Sequence, residues 1–436
     1  MRTTRLARSI VSLAMLLGVA VAGGCAAKTD RQGRPAVRSY FDGDLDRAIV
    51  TLAPLAEKTD ENYVLNNLRL GSAALLAMDL PTAEGAFYRA IEVINAGGVN
   101  TPGREFSAYA FSEGLRIWKG EPFERAMASY YLGVVYLLRN DLNNARASFE
   151  NCLFKLADYG ENPDDPARFR ALESDFALAA VMLGHCWVKL GRDDLAKANF
   201  DRAIAARPDL VPLADLERHR RSNLLLLVDA DYGPRRVVDE LGQVIGFMPT
   251  PAMAGPIRPP RVILDDLVME VDSLLVPTID TLALAQRREW RSIDTVRAVK
   301  DTLGKGLIVG GAVATGYGLG ERSNEAVIGG LAAMALGAAL SASAKADLRQ
   351  WEMVPRTVFV VPLYVEPGEY RLRVESPPAA SNRLQLEQTW VGVQVPTQGT
   401  TTLYLRLLPW QRGPYRWPTR EPLVPPTGPP TLPPDW

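Results

Sequence analysis

The sequence predicts a multidomain α + β chain. An α-solenoid of repeated helical hairpins comes first, then a small β-rich domain interrupted by a Gly/Ala-rich helical hairpin. Three observations carry this. One spacing, an apolar residue and Gly followed by Ala twelve positions on and Phe four later, occurs three times. After Asp229 the helical pattern gives way to short β-branched and aromatic runs broken by Pro and Gly. Between Gly306 and Ala344, small residues recur at every fourth position.

The three copies read Leu70, Gly71, Ala83, Phe87, Ala90; then Leu132, Gly133, Ala145, Phe149, Cys152; then Leu183, Gly184, Ala196, Phe200, Ala203, closed by Pro208. Small residues at a helix crossing let two backbones approach, and the Phe fills the space beside them. One hairpin cannot bury its own apolar face, so neighbouring units must stack on it. A partial unit precedes the three, with Ala48, Leu52 and Leu55 in second-helix positions after Gly43-Asp44-Leu45. The spacings resemble the tetratricopeptide repeat (TPR), which implies a TPR-like α-solenoid over residues 41–228. Successive glycines lie 62 and 51 residues apart, against about 34 in the ordinary repeat. Ala96–Gly120 and Tyr159–Pro166, rich in Gly, Pro, Asn and Asp, read as inserted loops and short helices.

Residues 1–24 stand outside the fold. Arg2, Arg5 and Arg8 precede an apolar run, Ile10–Ala22, too short to span a bilayer comfortably. Ala22-Gly23-Gly24-Cys25 then resembles the lipobox of bacterial lipoproteins. That resemblance implies diacylation of the Cys25 sulfur, cleavage before it and acylation of the new amino group. Ala26 rather than Asp after the cysteine favours the outer membrane, so a lipoprotein facing the periplasm is expected. Residues 25–40 read as a polar tether. Loss of residues 1–24 removes three arginines and no acid, taking the net charge from −1 to −4. A mildly acidic chain argues against a nucleic-acid partner, whose phosphates call for a basic face.

Arg218-His219-Arg220-Arg221 and the apolar run Asn223–Val228 read as one last helix. Residues 229–408 form the β-rich domain: Arg236–Val238, Gln243–Phe247, Arg261–Leu264 and Leu267–Leu275 as strands, with a proline-rich loop at Pro249–Pro260. A helical insertion covers residues 276–350. Within it, Val276–Leu307 reads as helix, and Gly306–Gly320 and Ala326–Ala344 as two arms of a glycine-zipper-like hairpin. Thr357–Val365 and Tyr370–Val374 flank the turn Glu366-Pro367-Gly368. Thr389–Val395 and Thr401–Leu408 flank Thr397-Gln398-Gly399 and read as a second strand pair. From Pro409 to Trp436, ten of 28 residues are Pro, the composition of a tail that builds no packed element.

Pro367-Gly368-Glu369-Tyr370-Arg371-Leu372-Arg373-Val374 resembles the hairpins of small Ig-like or transthyretin-like sandwiches, so a β-sandwich-like domain is implied. Asp347-Leu348-Arg349-Gln350-Trp351, Val354-Pro355 and the stretch Glu121, Phe123-Glu124-Arg125 are similar to a family of uncharacterised bacterial envelope lipoproteins. That family pairs a TPR-like N-terminal half with a β-rich end. The likeness implies architecture and envelope location and carries no catalytic residues.

No catalytic motif stands out: there is no HExxH, Cys-x-x-Cys, phosphate loop or Gly-x-Ser-x-Gly. The acidic pairs fall at turns, where capping explains them. Neither enzyme activity nor a cofactor or metal is expected. Cys152 and Cys186 read as buried small hydrophobes or as a disulfide between adjacent units. Mapping the TPR groove gives Leu68, Ser72, Tyr130, Val134, Val181 and His185, a mostly apolar face open to an apolar peptide or to the chain's own β-domain. The expected function is a lipid-anchored, non-catalytic scaffold for envelope proteins. The alternative is a membrane-active or oligomer-forming component that self-associates through the hairpin 306–344.

Overall fold

The chain is a mixed α + β protein, and among the described residues its periodic segments fold as four helix pairs. In chain order these are α1 (Arg34–Phe41) and α2 (Leu45–Ala56), α3 (Tyr63–Leu76) and α4 (Leu80–Asn95), α5 (Pro122–Leu138) and α6 (Leu142–Ala157), α7 (Ala177–Lys189) and α8 (Asp193–Ala206). The computed structural model describes residues 31–95, 117–157, 176–238, 244–249, 259–269, 276–286, 348–376, 386–408 and 414–423. Two compact units divide the chain. Asp30–Arg235, Phe247–Trp290 and Gln350–Trp436 form one; Met1–Thr29, Arg236–Gly246 and Arg291–Arg349 form the other. Residues 1–30 with Cys25, the segment 306–344 expected as a glycine-rich hairpin, the expected insertion 159–166 and most of the expected insertion 96–120 lie outside the described residues.

Each helix pair turns in the same way. The first helix ends on a residue in the left-handed region: Gly43, Met78, Asn140 and Gly191, with φ of 83°, 63°, 58° and 72°. Their N–H groups donate to the carbonyls of Tyr40, Leu75, Leu137 and Val188. The N–H groups of the next residues, Asp44, Asp79, Asp141 and Arg192, reach back to Ser39, Ala74, Tyr136 and Trp187 at 2.8–2.9 Å. This double bond pattern is the Schellman motif, which satisfies carbonyls that a helix end leaves unpaired. In three of the turns the aspartate also starts the second helix: Asp44, Asp79 and Asp141 accept from the N–H groups of Arg47, Thr82 and Asn144 at 3.1, 3.2 and 3.1 Å.

The crossings repeat too. A Cβ placed on Gly71, Gly133 or Gly184 would lie 2.8, 2.5 or 2.2 Å from the ring of Phe87, Phe149 or Phe200. The first helices α3, α5 and α7 are buried almost all round, whereas α8 buries a stripe of Ala196, Phe200 and Ala203. A helix buried on every side is covered on both faces. For α3 and α5 the second cover is a β-sheet.

After a short 3-10 turn (Pro208–Leu210) and α9 (Leu216–Arg221) the chain enters β1 (Leu224–Tyr232). The remaining elements among the described residues are β2 (Arg235–Val238), β3 (Val244–Met248), β4 (Arg261–Leu264), β5 (Leu267–Val268), β6 (Ile279–Asp280), α10 (Thr281–Gln286), β7 (Pro355–Leu363), β8 (Gly368–Ser376), β9 (Leu386–Val395), β10 (Thr401–Leu407), β11 (Tyr415–Arg416) and β12 (Glu421–Pro422). One sheet has the order β10-β1-β7-β6 and another β12-β11-β9-β8-β4-β5; β2 pairs with β3. β1 runs parallel to β10, Leu226 opposite Leu403, and antiparallel to β7, Leu226 opposite Val361.

Side chains alternate across the strands of the first sheet. Leu224, Leu226, Val228, Phe359, Val361, Leu403 and Leu405 join Leu372, Val374, Trp390 and Val393 of the second sheet in one core. Leu225, Leu227, Val358, Val360 and Tyr404 join the helices in the other. β1 is thus buried on both faces, which explains four consecutive leucines.

Four expectations need correction. Asn223–Val228 does not continue a helix: α9 stops at Arg221 and β1 begins at Leu224, because a short apolar run suits a doubly buried strand as well as a helix. The tether does not extend to residue 40, since α1 starts at Arg34 and buries Ala36, Val37 and Tyr40. The turns at 366–368 and 397–399 do not close strand pairs; β7 lies in one sheet and β8 in the other, and likewise β10 and β9. Part of the proline-rich tail packs: β11 pairs with β9, β12 with β11, and Arg420 is buried. Proline is tolerated in such short edge strands. Of the expected helix 276–307, Thr281–Gln286 is helical and residues beyond 286 lie outside the described set. Of the expected strand 267–275, residues 270–275 do.

Candidate functional site: the inner face of the first helices

All six groove positions fall on the first helices: Leu68 and Ser72 on α3, Tyr130 and Val134 on α5, Val181 and His185 on α7. All six are buried. The chain itself covers this face: β10 packs on α3 and α5, a strap, Gln350–Val354, that leads into β7 lies on Ser72, and His219 of α9 lies on His185. A partner reaches these six side chains only by displacing that cover.

The strap is held by side chains. The Trp351 N–H donates to Glu124 Oε1 at 2.6 Å, and its indole Nε1–H donates to Ser72 Oγ at 3.0 Å. Arg69 grips Glu352 with both ends of its fork, Nε to Oε2 at 2.9 Å and Nη2 to Oε1 at 2.7 Å. The other Glu124 oxygen, Oε2, accepts from the Glu121 N–H at 2.7 Å and closes a capping box at the start of α5. The Trp351 ring meets Tyr131 edge-on at 5.6 Å and Phe87 at 6.2 Å.

Next to the strap, Asp229 of β1 ties helices to sheet. Its Oδ2 accepts from the Tyr131 hydroxyl of α5 at 2.5 Å and the Tyr404 hydroxyl of β10 at 2.8 Å, with Arg406 Nη1 at 3.9 Å. Asp229 and Arg406 are fully buried. Burial pushes the Asp229 carboxyl up to about 6, while Arg406 and the two hydroxyls pull it the other way. The same burial holds the Tyr131 and Tyr404 hydroxyls well above their usual range. Solvent does not reach this acid, so its chemistry here is that of a cross-link.

The only two histidines of the chain meet at the end of the helices. His185 Nδ1 and His219 Nδ1 are 3.0 Å apart, and His219 Nε2 lies 3.0 Å from the Leu213 carbonyl. A carbonyl only accepts, so His219 carries its proton on Nε2. Its Nδ1 therefore accepts, and His185 Nδ1–H is the donor. A second proton on either ring would set two N–H groups against each other. Burial depresses both: His185 lies well below its ordinary value and His219 is brought down to about 3.

Cys152 and Cys186 are free, buried thiols, and burial pushes both upward. Among the described residues no His, Cys, Asp or Glu group is arranged to hold a metal, and no helix is long and apolar enough to cross a membrane. Sequence reasoning found Ser72 and His185 but missed Arg69, Glu124, Asp229, Trp351 and Arg406 as members of the site. The one available signal was a charge inside an apolar run, Asp229 in Leu224–Ala230 and Arg406 in Thr401–Leu408. No protein-family model matches the chain, and no curated protein is similar to it.

Proposed function

We propose that the protein is a non-catalytic envelope scaffold, anchored by acylated Cys25 to the outer membrane and facing the periplasm. In this reading the helix pairs form a TPR-like α-solenoid and the two sheets a small β-sandwich-like domain packed on its inner face. The supporting observation is the recurrence of one turn in four of the described helix pairs and of one small-residue crossing in three of them. Stacked repeats of this kind present long surfaces suited to proteins rather than to small substrates. The partners are other envelope proteins and the bilayer itself, with no nucleic acid and no cofactor.

The decisive experiment is crosslinking in intact cells followed by recovery of the protein from membranes. Discrete envelope proteins should copurify with the wild type, and palmitate should label it. Cys25→Ser should remove the label and leave the protein soluble or unprocessed. An unlabelled wild type, or a membrane fraction with no crosslinked partner, sinks the reading. The small-residue stripe of 306–344 supports a second role, self-association through that hairpin. Strong lipid-phase photolabelling at Ala333 would instead make membrane insertion the leading function.

A further inference from the structure

We propose that the groove between α3 and α5 is a peptide-binding site for an aromatic–acidic pair, filled in cis by Trp351–Glu352. Its use in the cell rests on the scaffold reading, which it deepens by naming the chemistry of the partner. The strap behaves as a ligand does. Gln350–Val354 forms no strand or helix, and side chains of two successive helix pairs bind it.

Each polar contact is selective. Arg69 on α3 is almost fully buried and holds Glu352 through two parallel bonds, a fork-to-carboxylate geometry that a neutral or single-point group does not satisfy. The Ser72 hydroxyl gives its proton to the Leu68 carbonyl at 2.8 Å. Its oxygen is therefore left as an acceptor, which the indole N–H fills at 3.0 Å. Glu124 divides its carboxylate: one oxygen caps its own helix and the other receives the ligand's backbone N–H. Phe87 and Tyr131 wall the slot for the ring. A phenylalanine would leave Ser72 without its donor, and a glutamine would set its amide N–H against one arm of the Arg69 fork. The groove therefore reads a peptide with Trp followed by Glu that turns back after the pair, as the Val354 N–H does onto the Trp351 carbonyl at 3.3 Å, presented by a partner when the strap is displaced.

The test uses the full chain with the two side-chain pockets emptied, Trp351→Gly with Glu352→Gly, and a synthetic peptide of residues 350–356, which must also displace the strap backbone from Glu124. Calorimetry should show saturable binding, and the peptide should raise the melting temperature of the emptied variant. Adding Arg69→Met, or using peptide with Gln for Glu, should weaken binding by about tenfold or more. A folded emptied variant that binds no peptide, or binds it regardless of residue 69, overturns the proposal. If the emptied variant does not fold, a charge exchange decides: Arg69→Glu with Glu352→Arg should melt above either single variant. A double variant no better than the singles overturns the proposal equally. Neither result touches membrane anchoring, which palmitate labelling tests separately.

Discussion

Phe200 sits where a methyl group on residue 184 would go. The virtual Cβ is 2.2 Å from the ring, so Gly184→Ala forces the ring or the helices to shift. Overpacking of this kind costs ~1–3 kcal/mol. Chemical denaturation should show that loss for Gly184→Ala, and Phe200→Leu in the same chain should recover part of it. A neutral Gly184→Ala contradicts the crossing. The histidine pair makes a second residue-scale prediction. Both rings are neutral in the fold and take up protons more readily when unfolded, so their contribution is complete above the unfolded value of about 6.5. It is lost as pH falls from there toward 3. For His219, folded at about 3, the loss reaches ~2 kcal/mol by pH 5. Asp229 works the other way: its folded value lies above the usual carboxylate range, so acid relieves part of its burial cost between about pH 6 and 4. Unfolding midpoints should fall from pH 6.5 to 5, and His185→Gln with His219→Gln should flatten that slope. A wild-type profile already flat over this range rules the pair out as the source.

Among the elements, the turns show that one backbone shape tolerates different residues. Gly43, Met78, Asn140 and Gly191 hold the same left-handed position, where a side chain costs ~1–2 kcal/mol. A Cβ at Gly191 meets no atom within 4 Å, so Gly191→Ala isolates the backbone term. It should destabilise by about that amount with no change in the rest of the fold; an unchanged midpoint would mean the turn relaxes. β1 gives a sharper contrast. Leu226 faces the second sheet and Leu227 faces the helices, so Leu226→Asp and Leu227→Asp should each abolish folding, because each buries an unpaired charge. Val50→Asp, at a position 73% exposed, should be nearly silent. Circular dichroism of the three variants checks this, and a folded Leu227→Asp would remove the helix-facing side of the sheet.

For the whole molecule, the consequence of β1 is that helices and sheets are not separable. Its two neighbours, β7 and β10, arrive 123 or more residues later in the chain. A fragment of residues 31–232 therefore leaves both edges and much of both faces of β1 open, a ready template for aggregation. That fragment should aggregate or melt without cooperativity, and coexpression of residues 348–423 should rescue it. A soluble, cooperatively melting fragment would show that the helical half stands alone. The same logic covers β4, which pairs with β8 (Ile263 opposite Arg373) across the insertion. The sheet closes around residues brought from both sides of it.

The sequence by itself determined the local features. The Gly–Ala–Phe spacing located three helix crossings, and Ala48, Leu52 and Leu55 after Gly43-Asp44-Leu45 marked the second helix of the first pair, because such spacings are a property of one helix against the next. Most strands were legible for the same reason: β-branched alternation and Pro-Gly turns act over a few residues. Tertiary structure alone decided which strand lies beside which. Pro367-Gly368 and Gln398-Gly399 look the same whether the chain folds back on itself or crosses to another sheet, and here it crosses. It also decided that Leu224–Val228 is a strand, since an unbroken apolar run has no period until something covers both faces. And it placed Trp351 and Glu352 on Ser72, Arg69 and Glu124. Contacts between residues more than 200 positions apart are set by the packing of the whole core, and no local pattern records them.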